Sequence, residues 1–186
     1  MKDWIALSGW ARSGKDSIAE YLVKEHGYTR VSFADPMREA LVALNPQIRY
    51  FETNLPLATA VRIIGWEELK ENSEDVRELL QRMGTEVGRN LFGKNFWVDL
   101  AIKEAKKHKK VVFSDCRYLN EAEAVRKRGG RVWRITRPGV RPANTHTSEK
   151  DLDDYEFDAL VINDSTLLKL HKKVDQILEW AWLNRA

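Results

Sequence analysis

The chain has 186 residues, 43% of them hydrophobic and 32% charged, enough for one domain with its own core. Its 31 basic and 28 acidic residues leave a net charge of +3, too even to argue for duplex DNA as a partner. A single cysteine, Cys116, excludes an intramolecular disulfide and fits a reducing cytoplasm, and no apolar run approaches the ~18 residues of a membrane span. The expectation is a cytoplasmic protein with neither a nucleic-acid nor a membrane partner.

In chain order, Trp4 to Leu7 form the short apolar run of a buried strand. Gly9, Trp10, Ala11, Arg12, Ser13, Gly14, Lys15, Asp16 and Ser17 follow, and then Ile18, Ala19, Leu22 and Val23 recur at helical spacing up to Gly27. Strand, glycine-bounded loop, lysine and helix is the context of a phosphate-binding P-loop. Such a loop presents successive backbone N–H groups at a helix N-terminus, and Lys15 adds a mobile positive charge for the β- and γ-phosphates. The position after the lysine usually carries Ser or Thr for Mg²⁺. Here it is Asp16, with the hydroxyl one residue later at Ser17. A bare carboxylate there would repel the phosphates, so Asp16 is expected to meet the metal directly or through water.

Residues 29–34 read as a second strand, and Asp35-Pro36 opens a helix that ends near Asn45-Pro46. Within 46–72 only Leu57 to Ile64 look helical. Residues 75–91 form an amphipathic helix with Val76, Leu79, Leu80, Met83 and Val87 on its apolar face. On that helix Arg82, Glu86 and Arg89 share one stripe, readable as an arginine clamp oriented by Glu86 or as a solvated salt-bridged face. Gly84 and Gly88 in the same helix cost about 1 kcal/mol each relative to Ala, which points to a close backbone approach.

A further helix spans 96–107, a buried strand 110–114, a short helix 120–127, a strand 131–136, a strand 159–163 and a last helix 166–183. Asp115 ends its strand in the position of a metal-holding acid, with Arg117 two residues on. The alternative reading is a helix cap or a surface salt bridge with Arg117. Residues 137–156 are polar and turn-rich, a candidate lid carrying Arg137, Arg141, His146, Ser148 and Glu149. The seven tryptophans read as core and rim packing, with Trp10 in the loop and Trp97 near a basic segment as alternatives for stacking on a base. Alternating strands and helices predict an α/β fold with a mostly parallel five-stranded sheet, whose ligands sit at the carboxyl ends of the strands. Gly9, Asp35, Asp115, Arg137 and Asn163 fall at those ends.

These motifs together resemble the bacteriophage-type deoxynucleoside monophosphate kinases: WIALSGWARSGKDSIAEYL, RVSFADPMREAL, LLQRMGTEVGR with the Phe-Trp pair after it, FSDCRYLNEAEAV and NTHTSE. The likeness covers nearly the whole chain and is weakest at 46–72. A P-loop ending in Lys-Asp is usual in that group. The resemblance implies a three-layer P-loop kinase fold with strand order 2-3-1-4-5 in one domain, 1–186. Its acceptor-binding helical region would span about 36–107 and its lid about 137–156. It also implies transfer of the γ-phosphate of ATP to a deoxynucleoside monophosphate with Mg²⁺, in the host cytoplasm if phage-encoded, by an enzyme that is often dimeric.

By the same resemblance, Gly9 to Ser17 would bind the ATP phosphates and Arg137 would lie near ATP. Arg82, Arg89 and Arg117 would face the monophosphate, while Phe33, Asp35 and Arg38 would lie near the acceptor nucleoside. Lys15, Asp16, Arg82, Arg89, Asp115 and Arg117 form the catalytic set, with Asp16, Ser17 and Asp115 around the metal.

The residues alone agree, because phosphoryl transfer needs positioning and charge neutralisation with little covalent chemistry by the protein. A dephospho-coenzyme A kinase-like enzyme shares this logic and stays open as an alternative, as does a non-catalytic nucleotide-binding protein. A GTPase would need an Asn-Lys-x-Asp motif, which the chain lacks. A DNA-dependent ATPase module should bind DNA in a salt-dependent way, and the near-neutral charge argues against it.

Overall fold

The computed structural model describes residues 2–141 and 151–183. By its internal contacts the chain divides into two compact units, one of Met1–Phe33 with Ile102–Ala186 and one of Ala34–Ala101.

The first unit is built on five parallel strands: β1 (Asp3–Ser8), β2 (Thr29–Val31), β5 (Lys110–Phe113), β6 (Arg131–Thr136) and β7 (Ala159–Ile162). Their spatial order is β2-β5-β1-β6-β7. Numbered among themselves along the chain, that is the order 2-3-1-4-5 implied by the resemblance. The central strand β1 reads as a continuous apolar run because both its faces are covered; Trp4, Ile5, Ala6 and Leu7 are all at most 1% exposed. Ile5 and Leu7 pack with Ile18, Ala19 and Leu22 of α1 (Lys15–His26) and with Leu170 and Val174 of α8 (Leu167–Leu183). α7 (Leu119–Arg126) packs against β1 and β6. Gly130 admits that contact, since a Cβ there would fall 2.5 Å from Val125 Cγ1 and 3.0 Å from Trp4 Cβ.

α1 and α8 are also joined by polar contacts. The Tyr21 hydroxyl donates to both Asp175 oxygens (3.0 and 2.9 Å), His26 Nε2 lies 2.9 Å from Asp175 Oδ1, and the Tyr21 ring stacks on His171 at 3.8 Å. Desolvation and the neighbouring carboxylate raise the Tyr21 phenol above its ordinary value, so it remains a donor.

The second unit contains α2 (Asp35–Leu44), an antiparallel hairpin of β3 (Gln47–Tyr50) and β4 (Thr53–Pro56), α3 (Leu57–Ile63), α4 (Trp66–Asn72) and α5 (Glu74–Gln81). Leu41, Ile48, Leu57, Ala60, Leu69 and Val76 form its core. Ser73 fastens α5 to the hairpin, its hydroxyl accepting from the Val76 N–H (3.4 Å) and donating to the Arg49 carbonyl (2.7 Å). The chain then continues into α6 (Phe96–Ala105).

The helix expected over 75–91 is two elements. α5 ends at Gln81 and a π-helix runs from Arg82 to Phe92. The two glycines answer to different neighbours: a Cβ at Gly84 would lie 3.0 Å from Met37 Sδ, and Gly88 makes room for Trp97. The Trp97 indole N–H donates to the Gly84 carbonyl (3.1 Å), and a Cβ at Gly88 would lie 1.9 Å from the indole nitrogen. Trp97 is 8% exposed, so this ring is a packing residue and the base-stacking alternative does not hold. A π-helical turn also takes more residues than an α-helical one. The seven-residue interval therefore does not return Arg89 to the stripe of Arg82.

Gly88→Ala should lower the melting temperature. Helix propensity alone would favour Ala by about 1 kcal/mol, but the overlap with Trp97 forces a shift that costs about 1–3 kcal/mol. A thermal melt by circular dichroism reads the net sign, and a variant at least as stable as wild type would place the indole elsewhere.

Candidate active site

The carboxyl ends of β1, β5, β6 and β7 converge on the loop between β1 and α1. Gly9 has φ +143° and Gly14 φ +106°, a region that side chains rarely adopt. Space forbids them too. A Cβ on Gly9 would lie 2.2 Å from the Ile135 carbonyl oxygen, and one on Gly14 would lie 2.5 Å from Asn163 Nδ2. Asn163, just beyond β7, donates from that Nδ2 to the Ser13 carbonyl (3.0 Å), and its own N–H reaches the Thr136 carbonyl (2.7 Å). It thereby ties the loop to two strand ends. Arg12 adopts φ +63°, and the Ser13 N–H closes the loop onto the Trp10 carbonyl at 3.2 Å. α1 begins at Lys15 without a side-chain cap, which leaves first-turn N–H groups for an anion.

Lys15 is 8% exposed, less than the partly exposed side chain that its role leads one to expect. The chain folds back so that the ammonium donates to the Gly9 and Trp10 carbonyls, each at 2.7 Å. This spans the loop with a positive charge. The Trp10 indole nitrogen and the Ser13 hydroxyl are buried without a hydrogen-bond partner. Trp10 lies beneath Arg134, whose guanidinium carbon is 5.6 Å from the ring centroid and whose Nη1 donates to Ser8 Oγ at 3.4 Å. Ser8, Gly9, Trp10, Cys116, Arg117, Arg134 and Leu152 line a small cavity at this place.

Asp115 follows β5 and bridges to the residues after β2. Its carboxylate accepts from the Ser32 hydroxyl (2.5 Å) and from the Phe33 N–H (2.8 Å). The Phe33 ring is 3% exposed and stacks on Phe113 at 4.8 Å. Phe33 thus serves the core, where the resemblance would put it near the acceptor nucleoside. Cys116 is buried. Burial first, and the Glu121 and Asp115 carboxylates after it, push its thiol well above the ordinary range, so it is a protonated wall and no nucleophile. Arg117 is exposed, and its N–H donates to Glu121 Oε2 (2.8 Å), which also accepts from the Tyr118 N–H (3.1 Å) at the start of α7.

Asp16 is 71% exposed and is held by the Arg30 guanidinium, Nη2 to Oδ1 2.5 Å. Among the described residues no group of three or more His, Cys, Asp or Glu side chains could hold a metal by itself.

Arg82, Glu86, Arg89, Asp35 and Arg38 belong to the second unit. Arg82 is 60% exposed and lies 3.5 Å from Glu78 and 3.6 Å from Glu86. Arg38 meets Asp35 (4.0 Å), Glu67 (3.4 Å) and the Trp66 ring (5.8 Å).

Arg137 is exposed after β6, its carbonyl closing a turn with the Val140 N–H (3.1 Å). His146, Ser148 and Glu149, like the rest of 142–150, lie outside the described residues. The later part of the segment expected as a lid is fastened. Asp151 accepts from the Leu119 N–H (2.7 Å), Leu152 is buried, and Asp153 is 3.5 Å from Arg134. Sequence reading missed Arg30 and Arg134 because only the register of distant strands brings them to the loop, although Asn163 was marked by its strand-end position.

A glycine-bounded loop between the first strand and first helix of a parallel 2-3-1-4-5 sheet defines a P-loop kinase fold. The fold of a dephospho-CoA kinase from Campylobacter jejuni is similar, with TM-score 0.51 and 12% identity over 96% of each chain. The deoxynucleotide monophosphate kinase family profile matches residues 57–174, and the chain belongs to that family. Among its relatives, a protein of Acanthamoeba polyphaga mimivirus provisionally described as a deoxynucleotide monophosphate kinase is 31% identical, over 91% of this chain and 93% of the relative. The deoxynucleotide monophosphate kinases of Escherichia phage RB69 and Enterobacteria phage T4 are 27% and 25% identical, each over 94% of this chain and 98% of the relative. Among the described residues no helix is long and apolar enough to cross a membrane.

Asn163→Ala should loosen the loop without unfolding the sheet. Loss of one hydrogen bond of about 1 kcal/mol corresponds to a roughly fivefold higher KM for ATP, with the KM of the acceptor unchanged. Steady-state kinetics with each substrate varied in turn would show it; equal effects on both substrates would rule out a role confined to the loop.

Proposed function

We propose that this chain transfers the γ-phosphate of ATP to a deoxynucleoside monophosphate, giving ADP and the diphosphate. The observation that carries the reading is the built phosphate loop, Gly9 to Ser17 with Lys15 spanning it, in a member of the deoxynucleotide monophosphate kinase family. Backbone N–H groups and Lys15 hold the donor phosphates, and Arg137 lies on the ATP side. Mg²⁺ would be held by Asp115 and Ser17, with Asp16 through water, and supplies charge neutralisation when bound. The acceptor is a phosphate oxygen that is already ionised, so no strong general base is needed. Arg82, Arg89 and Arg117 meet the acceptor phosphate, Glu86 orients Arg82, and Asp35 and Arg38 serve the acceptor nucleoside. A homodimer, as the resemblance implies, belongs to the same reading.

The test is ADP formation from ATP with each of the four deoxynucleoside monophosphates, their ribose counterparts and dephospho-coenzyme A. Turnover with at least one deoxynucleoside monophosphate is expected; turnover with dephospho-coenzyme A alone would overturn the assignment. In the same assay Lys15→Ala should lose roughly a hundred- to a thousandfold in kcat, the usual consequence of removing one donor to developing charge, while its circular-dichroism spectrum stays native. Near wild-type kcat would remove the P-loop from the reaction.

Arg89→Lys keeps the charge and loses the planar fork that grips two phosphate oxygens. The expected result is a roughly tenfold or greater loss in kcat/KM for the monophosphate, with ATP binding unchanged. Equal weakening of ATP binding would move this arginine to the donor.

A further inference from the structure

Arg30 stands on β2, outside every set of residues assigned above to phosphate, metal or nucleoside, yet its guanidinium joins one of them, Asp16, to the residue that precedes Asp115. Nη2 donates to Asp16 Oδ1 at 2.5 Å, and Nε donates to Ser114 Oγ at 3.0 Å. Ser114 directly precedes Asp115 and is 4% exposed. The inner end of the guanidinium is therefore anchored in the sheet, and its outer end meets the acid that follows the loop lysine.

We infer that Arg30 is the resident counter-charge of Asp16, a positioning residue that lets a P-loop carry an aspartate after its lysine without repelling the polyphosphate. The inference rests on the proposed reading of this loop as the ATP site. A carboxylate on the first turn of α1 stands among the N–H groups that attract phosphate, and like charges a few ångströms apart oppose binding. The guanidinium cancels that charge where it arises. Its contact is made through Oδ1, so the carboxylate keeps its second oxygen for a metal-bound water. The two-point hold, Nε on Ser114 and Nη2 on Asp16, uses the planar fork and fixes the direction of the carboxylate; an ammonium would supply the charge without the direction. The Arg30 side chain is 43% exposed, and exposed pairs contribute little to folding. The role should therefore appear in ligand binding and leave the melting temperature nearly unchanged.

The experiment is a double-mutant cycle on the full chain: wild type, Arg30→Gln, Asp16→Asn and the double variant, with Arg30→Lys alongside. ATP dissociation constants are measured by calorimetry with and without Mg²⁺, and melting temperatures are recorded. Arg30→Gln should weaken ATP roughly three- to tenfold, the scale of one partly exposed charge, with the larger loss in the absence of Mg²⁺. Asp16→Asn in the same chain should bring affinity back to within about twofold of wild type, because the charge to be cancelled is gone. Arg30→Lys should largely preserve metal-free affinity and raise the Mg²⁺ concentration needed for half-maximal rate.

Equal weakening by Arg30→Gln in both Asp16 backgrounds would overturn the inference and make Arg30 a direct phosphate ligand or a structural residue. Unchanged affinity in Arg30→Gln would overturn it as well. If Arg30→Gln fails to fold, Arg30→Lys decides: unchanged affinity and unchanged Mg²⁺ dependence would dismiss the role. A wild type that binds ATP but phosphorylates no acceptor would defeat the proposed function, and the cycle would still decide the role of Arg30.

Discussion

Two glycines let the phosphate loop lie against the ends of β6 and β7, and the first unit is arranged around that approach. The Ile135 carbonyl stands where a Cβ of Gly9 would be, and the Asn163 amide stands where a Cβ of Gly14 would be. A loop this close to two strand ends cannot be carried by a flexible surface connection, because its N–H groups must already point inward before an anion arrives. The buried strand β1 supplies the rigid base. Trp4 to Leu7 are buried and apolar on both faces, so the point at which the strand becomes loop is set by packing on either side.

The second constraint is charge. The cations around the loop are each held by neighbours within the first unit. Lys15 rests on two backbone carbonyls, Arg30 on Asp16 and Ser114, and Arg134 on Trp10 and Ser8, with Asp153 nearby. Each cation has neutral or single-acid partners within the first unit, from which a bound phosphate can recruit it. Asp115 is engaged differently. Its contacts with Ser32 and the Phe33 N–H join the end of β5 to the residues after β2, so the acid expected to face a metal also closes the sheet at that end.

Elements whose signal is local were legible in the sequence. All five parallel strands were legible as short strands, the first and third of them as apolar or buried runs, and α1 was legible from its spacing and Gly27. The hairpin β3–β4 was not: its strands are four residues each, end in Pro56, and bury little beyond Ile48, so no two-residue alternation stands out. The break between α5 and the π-helix was invisible for a different reason. The apolar face continues through it, and the change is made by an indole reaching back from Trp97 to Gly84. The glycines announced a close approach, but its partners are Met37 and an aromatic ring of the same unit. In the candidate site the loop, Lys15 and Asp115 were readable as a motif. Arg30 and Arg134 were not, because their partners lie 14 and 126 residues away along the chain, and only sheet register brings them together.

The acidic run after the undescribed residues shows how composition misleads about order. Asp151 and Asp153 fall in the polar, turn-rich stretch 137–156, and Asp158 follows it. Each is committed to a particular donor: Asp151 to the exposed N–H of Leu119 at the start of α7, Asp153 to Arg134, and Asp158 to the Val132 N–H (2.7 Å) and Arg126 (3.1 Å). The N–H of Asp158 in turn reaches the Val132 carbonyl (2.9 Å), completing a two-way backbone link to β6. Leu152, between the first two acids, is 2% exposed. Carboxylates on a helix N-terminus and on unpaired strand N–H groups satisfy donors that would otherwise depend on water. The same charge density that makes the segment look mobile is therefore what fastens it.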